Sequence, residues 1–264
     1  MNRQRYPTDV QDTEWAVLAE LMPEPAKAGR PRKHSYREVV NAIFYVLSNG
    51  IKWRAMPHDL PPWSTVYGYF RRWRQQGHWQ RWNTALRQRL RKQLGRRAQP
   101  SAAILDSQSI KTSEGGESRG YDANKRCLGR KRHILVDTLG LLLSVLVTGA
   151  NVQDRDGAKQ LLTSFYRAFF QSFRLQRVWA DAGYGGALIS WTQVAFAWLL
   201  DIVRRQKQQV GFEVLPKRWI VERTFSWFIR NRRLSRDYER LPQTSESFIY
   251  IAMIRLMSRR LAKF

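Results

Sequence analysis

The sequence contains one cysteine, four histidines and comparatively few acidic residues. Because Cys127 stands alone among 264 residues, no disulfide can form within the chain, and a reducing compartment is the expected setting. The scattered histidines predict no zinc-type cluster. The longest apolar run, Leu139–Ala150, is too short to cross a bilayer, and Met1–Trp15 lacks the apolar segment of a signal peptide. We therefore expect a cytoplasmic protein without a membrane partner.

Negative charge is also scarce, and this is the informative part of the composition. Lysine and arginine total 46 against 21 acidic residues, which gives a net charge of +25 and a pI near 11.1. Both halves of the chain carry the excess, so it is not a basic tail. Such a field attracts polyanions, and nucleic acid is the favoured partner over a ribosomal or membrane surface. At 43% apolar residues the chain can still bury a core.

Residues 1–95 are predicted to be helical throughout. Ser35 and Glu38 form a capping box that opens an apolar-periodic helix, and Asn49 and Gly50 end it. The other predicted helices are Glu14–Leu21 (capped by Thr13), Thr65–Gln76 (capped by Ser64) and Trp79–Arg97. Short helices joined by tight turns are typical of a helix-turn-helix domain. Residues 96–101 are predicted to be a linker.

Residues 102–264 have a different periodicity, with strands and helices interleaved. The predicted strands are Ala102–Asp106, His133–Val136, Leu141–Thr148, Arg177–Ala180 and Leu200–Arg204, of which the second and third form a hairpin. The predicted helices are Asp156–Phe173, residues 187–199, Lys217–Arg233 and Ser245–Leu261. This order favours an α/β or α+β layered domain.

Two of the predicted strands end in aspartate, at Asp106 and Asp181. Ligands collect at the carboxyl ends of strands in an open sheet, and two carboxylates there need a cation to stay ionised together. Hard oxygen ligands suit Mg²⁺ or Mn²⁺, and a third carboxylate would complete a two-metal site. Glu222 is the candidate third ligand, although an ion pair with Arg218 one turn earlier explains it equally well. Each aspartate taken alone is also explained by a turn or cap role.

Several strings of the sequence resemble transposases of the insertion-sequence-five family of bacterial mobile elements. They include Leu105–Lys111, Gly120-Tyr-Asp-Ala, Gly129-Arg-Lys-Arg-His-Ile, Asn151–Asp156, Trp179-Ala-Asp, Trp219–Trp227, Arg232–Glu239, Gly29–His34 and Pro61–Tyr67. Asp106, Asp181 and Glu222 match the order and rough spacing of a D-D-E catalytic core, and the resemblance covers nearly the whole chain.

The resemblance implies a ribonuclease-H-like mixed-sheet catalytic domain over residues 102–264, preceded by the helical DNA-binding domain. It implies a DNA transposase that binds terminal inverted repeats and catalyses cleavage and strand transfer. Asp106, Asp181 and Glu222 would be both the catalytic residues and the ligands of two Mg²⁺ or Mn²⁺ ions. The implied partners are transposon ends and target DNA, with a homodimer or larger assembly holding two ends together, so we expect the cytoplasmic protein at the nucleoid.

The chain departs from the family signature on the helix that carries Glu222. That signature is Tyr, Arg, Glu and Lys with two, three and six residues between them. Arg218 and Glu222 fit it, whereas Leu215 replaces the tyrosine and Ile229 the lysine. Arg230 or Arg223 is expected to supply the missing charge, and which of them does so stays open.

Basic residues outside the triad are expected to contact DNA. On the predicted helix Thr65–Gln76, the expected contacts are Tyr67, Arg71, Arg72 and Arg74, with the first two facing bases in the major groove. Arg30, Arg32 and Lys33 form either a minor-groove arm or a linker. Phosphate contacts near the first aspartate are expected from Lys111, Lys125, Arg126, Arg130, Lys131 and Arg132, and near Glu222 from Arg218, Arg223 and Arg230.

Two alternatives to an active transposase remain at this point. One is a domesticated derivative that only binds DNA, for example as a repressor. The other is a ribonuclease-H-like nuclease or resolvase acting on branched DNA. Intact carboxylates favour the active enzyme over the first, and the helical N-terminal domain argues against the second. Short inverted repeats beside the coding frame would favour a mobile element.

Overall fold

The computed structural model describes residues 3–24, 31–113, 116–169, 174–203 and 217–264. The helices are α1 Asp12–Ala19, α2 Tyr36–Asn49, α3 Trp63–Gln75, α4 His78–Gln93, α5 Asp154–Phe169, α6 Ala187–Phe196, α7 Arg218–Ile229 and α8 Pro242–Leu261. The strands are β1 Ala102–Lys111, β2 Gly120–Asp122, β3 Cys127–Asp137, β4 Leu142–Gly149, β5 Arg177–Ala180 and β6 Leu199–Ile202. Short 3₁₀ turns lie at Trp53–Ala55, Ala182–Tyr184 and Arg232–Leu234.

Helix α2 has the predicted ends and one half of the predicted capping box, since the Glu38 side chain accepts from Arg3 and Asn41 instead. The Ser35 hydroxyl accepts a hydrogen bond from the Glu38 amide at 3.2 Å, which satisfies one of the unpaired donors of the first turn. At the other end Gly50 takes a left-handed conformation with φ +69°, which a side chain would disfavour. The α1 boundary was predicted two residues late. The helix starts at Asp12, where the Glu14 side chain accepts from the Gln11 amide at 3.2 Å.

The strands form one mixed sheet in the order β2-β3-β1-β5-β6, with β4 also paired to β3. The pairs that β3 makes with β1, β2 and β4 are antiparallel, whereas β5 runs parallel to β1 and to β6. This sheet and the helices before it confirm the predicted α/β class, and they agree with a ribonuclease-H-like domain. The structure corrects several details: β1 continues past Asp106 to Lys111, β3 begins at Cys127 instead of His133, and the short strand β2 was not predicted. The predicted caps Thr13 and Ser64 both lie inside their helices.

The two faces of the sheet bury different side chains, as the alternation of a strand requires. On β1, Ile104 faces α7, α8 and the N-terminal helices, while Leu105 faces α5 and α6. On β3, Ile134 belongs to the first core and Leu135 to the second. The catalytic candidate on β1 is therefore held by a strand that is packed on both sides.

The N-terminal helices share the first core with the sheet. Helix α4 packs along α8, and the Asn83 amide on α4 donates to the Leu142 carbonyl on β4 at 2.9 Å. Arg91 on the same helix lies 2.5 Å from the fully buried carboxylate of Asp137 at the end of β3. Helices precede residues 96–101 and a strand follows them. Residues on both sides of this predicted boundary belong to the same hydrophobic core.

Candidate active site

Asp106 lies within β1 beside a narrow cleft, which Trp179, Asp181 and Arg218 also line. Its carboxylate accepts a hydrogen bond from the Ser107 amide at 2.7 Å. The pKa of Asp106 is raised to about 7, mainly by burial and also by the charge of Asp181, while the hydrogen bond from the Ser107 amide acts in the opposite direction. This carboxyl is therefore one that a nearby cation would stabilise in its ionised form.

Asp181 reaches the same cleft because of the register between two parallel strands. Ile104 on β1 is paired with Trp179 on β5, and each of these residues lies two positions before an aspartate. The side chains of Asp106 and Asp181 consequently meet at one edge of the sheet. Asp181 also caps the following 3₁₀ turn by accepting from the Gly183 amide at 2.9 Å. Asp181 therefore has both of the roles considered from the sequence: it caps a turn and it lines the cleft.

Glu222 lies on α7, with about 60% of its side chain exposed. Arg218 connects it to the aspartates: its guanidinium is 3.5 Å from the Glu222 carboxylate and 3.7 Å from that of Asp181. The ion pair between Arg218 and Glu222 that the sequence suggested is therefore present, and Arg218 also lies close to Asp181. The structure brings Asp106 and Asp181 together directly, and Glu222 through Arg218.

Two of the three candidate carboxylates are placed so that they could bind a divalent metal ion together. Asp106 and Asp181 offer oxygen ligands in one cleft, and the Arg218 guanidinium places a positive charge beside the Asp181 carboxylate. Within the described ranges, no three His, Cys, Asp or Glu side chains form a group that could hold a metal ion. Glu222 is connected to this cleft through its ion pair with Arg218.

Two positions differ from the family signature, Leu215 and Ile229. Leu215 lies outside the described residues. Ile229, at the lysine position, ends α7 with about half of its side chain exposed, and Arg230 follows as the C-cap residue, also exposed. Arg223 is half-buried, stacks on Trp219 and Trp227, and donates to the Leu139 carbonyl at 3.0 Å. Arg230 is therefore more accessible to a phosphate than Arg223.

Three predicted phosphate contacts disagree with the structure. Arg130 and Arg132 are completely buried, and Lys131 is 5% exposed. Arg130 donates to backbone carbonyls of Glu117, Glu239 and Arg240. Arg132 donates to that of Leu234. These arginines anchor the segment after α7 to the sheet, so they do not belong to a DNA-binding surface. Lys131 is likewise paired with acidic side chains inside the protein.

The remaining basic candidates lie at the surface. Lys111, Lys125 and Arg126 are exposed at the end of β1 and in the turn before β3, and the charge of Lys125 lowers the pKa of Asp106. Arg32 and Lys33 are exposed, with Arg32 stacked on the Tyr36 ring at 3.8 Å, while Arg30 lies outside the described residues.

Helix α3 has the two faces that its sequence predicts. Val66, Phe70 and Trp73 are buried in the shared core. The opposite face exposes Tyr67, Arg71 and Arg72. Arg74 is turned inward enough to donate to the Thr244 hydroxyl on α8 at 2.5 Å, so its side chain is engaged within the protein.

Three polar residues near Asp106 were missed as functional candidates: Ser107, Asp154 and Tyr184. Ser107 Oγ donates to Asp154 at 2.7 Å, and Lys131 Nζ lies 2.9 Å from the same carboxylate. Tyr184 is buried in the core between the sheet and α5. Burial raises its pKa well above the ordinary tyrosine value, and the charge of Asp106 adds to that effect. Both Ser107 and Asp154 lie in strings that carry the family resemblance, but no spacing rule predicts their contact.

Comparisons with known proteins identify the family to which the sequence is similar. A family model described as "Transposase DDE domain" matches residues 97–257, and one described as "Putative transposase of IS4/5 family" matches residues 10–83. A Burkholderia cepacia protein named "Putative transposase for insertion sequence element IS402" is 29% identical over 126 residues, which is 46% of this chain and 59% of that protein. The chain thus aligns with less than two thirds of that relative's length.

A second Burkholderia cepacia relative is named "Insertion element IS402 uncharacterized 16.2 kDa protein". It is 28% identical over 121 residues, covering 42% of this chain and 78% of its own length. No solved structure matches the chain. Among the described residues, no helix combines the length and apolar character needed to span a membrane.

Proposed function

The chain belongs to the transposase DDE domain family, and from that membership we propose that it cleaves transposon ends and joins them to target DNA. The observation that carries the proposal is the meeting of Asp106 and Asp181 in one cleft, with Arg218 linking Asp181 to Glu222. These three carboxylates are the proposed catalytic residues. The DNA partners are terminal inverted repeats and a target duplex, held by a dimer or larger assembly because two ends must be brought together.

The three carboxylates would hold two Mg²⁺ or Mn²⁺ ions. When bound, such ions activate water and then a 3′ hydroxyl for in-line attack on phosphorus, and they neutralise charge on the phosphate. Asp106 is suited to this role because its burial makes the isolated charge unfavourable, so that ionisation and cation binding support each other. Asp181 is fixed by the turn it caps, which limits the movement of its carboxylate.

The residues around the cleft would position the DNA backbone. Lys125 and Arg218 place positive charge beside Asp106, where a scissile phosphate must approach two acidic groups. Trp179 and Val221 form the apolar walls of the cleft and limit the access of bulk water. The exposed face of α3, with Tyr67, Arg71 and Arg72, is the proposed element for binding the terminal repeats.

A cleavage and strand-transfer assay tests the proposal. Its substrate is a labelled duplex carrying the inverted repeats that flank the coding frame, and the wild-type protein is compared with Asp181→Asn and Glu222→Gln in Mg²⁺ or Mn²⁺. The matched control is Asp201→Asn, on the neighbouring strand β6, where the carboxylate pairs with Arg177 at 3.2 Å. We expect both triad variants to bind DNA and lose cleavage, while the control cleaves normally. Undiminished cleavage by the triad variants would contradict the assignment, and binding without cleavage by the wild type would favour a DNA-binding derivative.

A further inference from the structure

A polar cluster lies behind β1, on the face opposite the first core. Its members are Ser107, Ser109, Asp122, Lys131 and Asp154, contributed by β1, β2, β3 and the first residue of α5. Lys131 is the central cation. Its ammonium lies 2.9 Å from Asp154 and 3.7 Å from Asp122, and it donates to the Val152 carbonyl at 2.8 Å. A buried ammonium with these partners holds two carboxylates in fixed positions.

Ser107 connects this cluster to the proposed active site. Its hydroxyl donates to Asp154 at 2.7 Å, while its amide donates to Asp106 at 2.7 Å. An ionised carboxylate only accepts hydrogen bonds, so the Ser107 hydroxyl must donate to Asp154. This hydrogen bond fixes the rotamer of the Ser107 side chain. The hydrogen bonds from Ser107 and Lys131 outweigh the effect of burial and lower the pKa of Asp154. Asp154 is therefore a stable anchor at neutral pH.

We propose that Asp154 and Lys131 are positioning residues that orient the Asp106 carboxylate through Ser107. The inference rests on the proposed function, since it concerns how the first carboxylate is presented to a metal ion. Each contact removes a degree of freedom: Lys131 holds Asp154, Asp154 holds the Ser107 side chain, and the Ser107 amide holds one oxygen of Asp106. A ligand fixed in this way loses less conformational entropy when a cation binds.

Ser109 provides a matched control within the same strand. It lies two residues after Ser107 on the same face, and its hydroxyl donates to Asp122 at 2.5 Å, which is a carboxylate that also faces Lys131. Replacing either serine by alanine removes one short hydrogen bond from the same cluster. Only Ser107 is adjacent to Asp106, so the two substitutions separate a positioning role from a general contribution to stability.

The experiment is calorimetric titration of the full-length protein with Mn²⁺, accompanied by thermal unfolding without metal. For Ser107→Ala and for Asp154→Asn we expect Mn²⁺ affinity to fall on the order of tenfold, as for other residues that orient metal ligands. We expect Ser109→Ala to keep wild-type affinity. In the cleavage assay kcat should fall for Ser107→Ala, while the KM for DNA stays unchanged. Equal Mn²⁺ affinities for Ser107→Ala and Ser109→Ala would overturn the proposal, even if Asp154→Asn fails to fold.

Asp106→Asn in the same titration distinguishes a failure of the metal site from a failure of the positioning role. If Asp106→Asn loses Mn²⁺ affinity and Ser107→Ala does not, the metal assignment stands and the positioning role of Asp154 and Lys131 is wrong. If Asp106→Asn binds Mn²⁺ as the wild type does, the proposed active site itself is wrong.

Discussion

The guanidinium of Arg218 lies 3.7 Å from the Asp181 carboxylate, between α7 and the end of β5. It also pairs with Glu222 one helical turn later, so a single cation spans two of the three proposed metal ligands. A divalent ion bound by both carboxylates would therefore compete with this guanidinium for their oxygens.

The competition predicts opposite effects of Arg218→Gln on metal binding and on catalysis. Without the guanidinium, Mn²⁺ should bind at least as tightly as in the wild type, whereas cleavage should slow because the phosphate no longer faces this cation. Calorimetry and the cleavage assay measure the two quantities. Arg230→Gln, at the C-terminal end of α7, removes the same charge from the same helix and serves as control. Weaker Mn²⁺ binding in Arg218→Gln would mean that Arg218 supports the metal site instead of competing with it.

The buried pair between Arg91 and Asp137 predicts that the helical region and the sheet unfold together. Arg91→Met removes the guanidinium that pairs with the fully buried Asp137 carboxylate, and we expect a loss of about 3 kcal/mol in the free energy of unfolding. Arg89→Met, on the same helix, breaks an exposed pair with Glu20 and should cost under about 1 kcal/mol. Urea unfolding followed by circular dichroism measures both. Equal effects, or two separate transitions in the wild type, would contradict the shared core.

Glu246 predicts how stability depends on pH. Burial raises the pKa of this α8 carboxyl from 4.5 to about 7, although the Val147 amide, which donates to it at 2.9 Å, acts in the opposite direction. The folded protein therefore holds a proton that the unfolded chain releases between about pH 4.5 and 7. Its contribution to stability is fully present below that window and is lost as pH rises through it. Glu246→Gln should match the wild type near pH 4 and exceed its stability at pH 8.

Chemical unfolding at the two pH values measures this difference. Glu20→Gln replaces a carboxylate at the protein surface and should leave the pH dependence unchanged. If Glu246→Gln shows the same fall in stability as the wild type between pH 4 and 8, the ionisation of another group is responsible.

The exposed face of α3 predicts the salt dependence of DNA binding. Replacing Arg71 and Arg72 by alanine should weaken binding to the terminal repeats and lower the slope of log affinity against log salt by about 0.9 for each phosphate that the variant no longer neutralises. Fluorescence anisotropy over a range of salt concentrations measures the slope. Arg177→Ala, which removes an arginine that is paired with Asp201 on β6, should change it little. An unchanged slope in the double variant would exclude α3 from the interface.

The sequence singles out Asp106 and Asp181 because an apolar run followed by a carboxylate is a local pattern. An apolar run followed by Asp occurs at Asp106 and at Asp181, and the parallel register of β1 and β5 then brings the two side chains together. The order of helices and strands along the chain can also be predicted from local sequence patterns. The end of β1 was misplaced because the polar residues after Asp106 look like a turn, while they are paired with β3 up to Lys111.

The contacts that depend on long-range packing could not be predicted. The run Arg130-Lys131-Arg132 indicates charge, but charge alone does not reveal that carbonyls from residues more than 100 positions away surround Arg130 and Arg132. Ser107 and Asp154 are likewise 47 residues apart, and only the folded sheet places one beside the other. The contact between Arg218 and Asp181 has the same origin, whereas the pair between Arg218 and Glu222 spans one helical turn and was predicted.

Diffraction from crystals of the protein with DNA and Mn²⁺, recorded to locate the anomalous signal of manganese, tests the central claim most directly. We predict manganese at the cleft, with Asp106 and Asp181 as ligands, Glu222 completing the set and Arg218 displaced from Asp181. Manganese bound elsewhere, or a cleft in which Arg218 keeps its pairing with Asp181 while DNA is bound and cleaved, would contradict that claim.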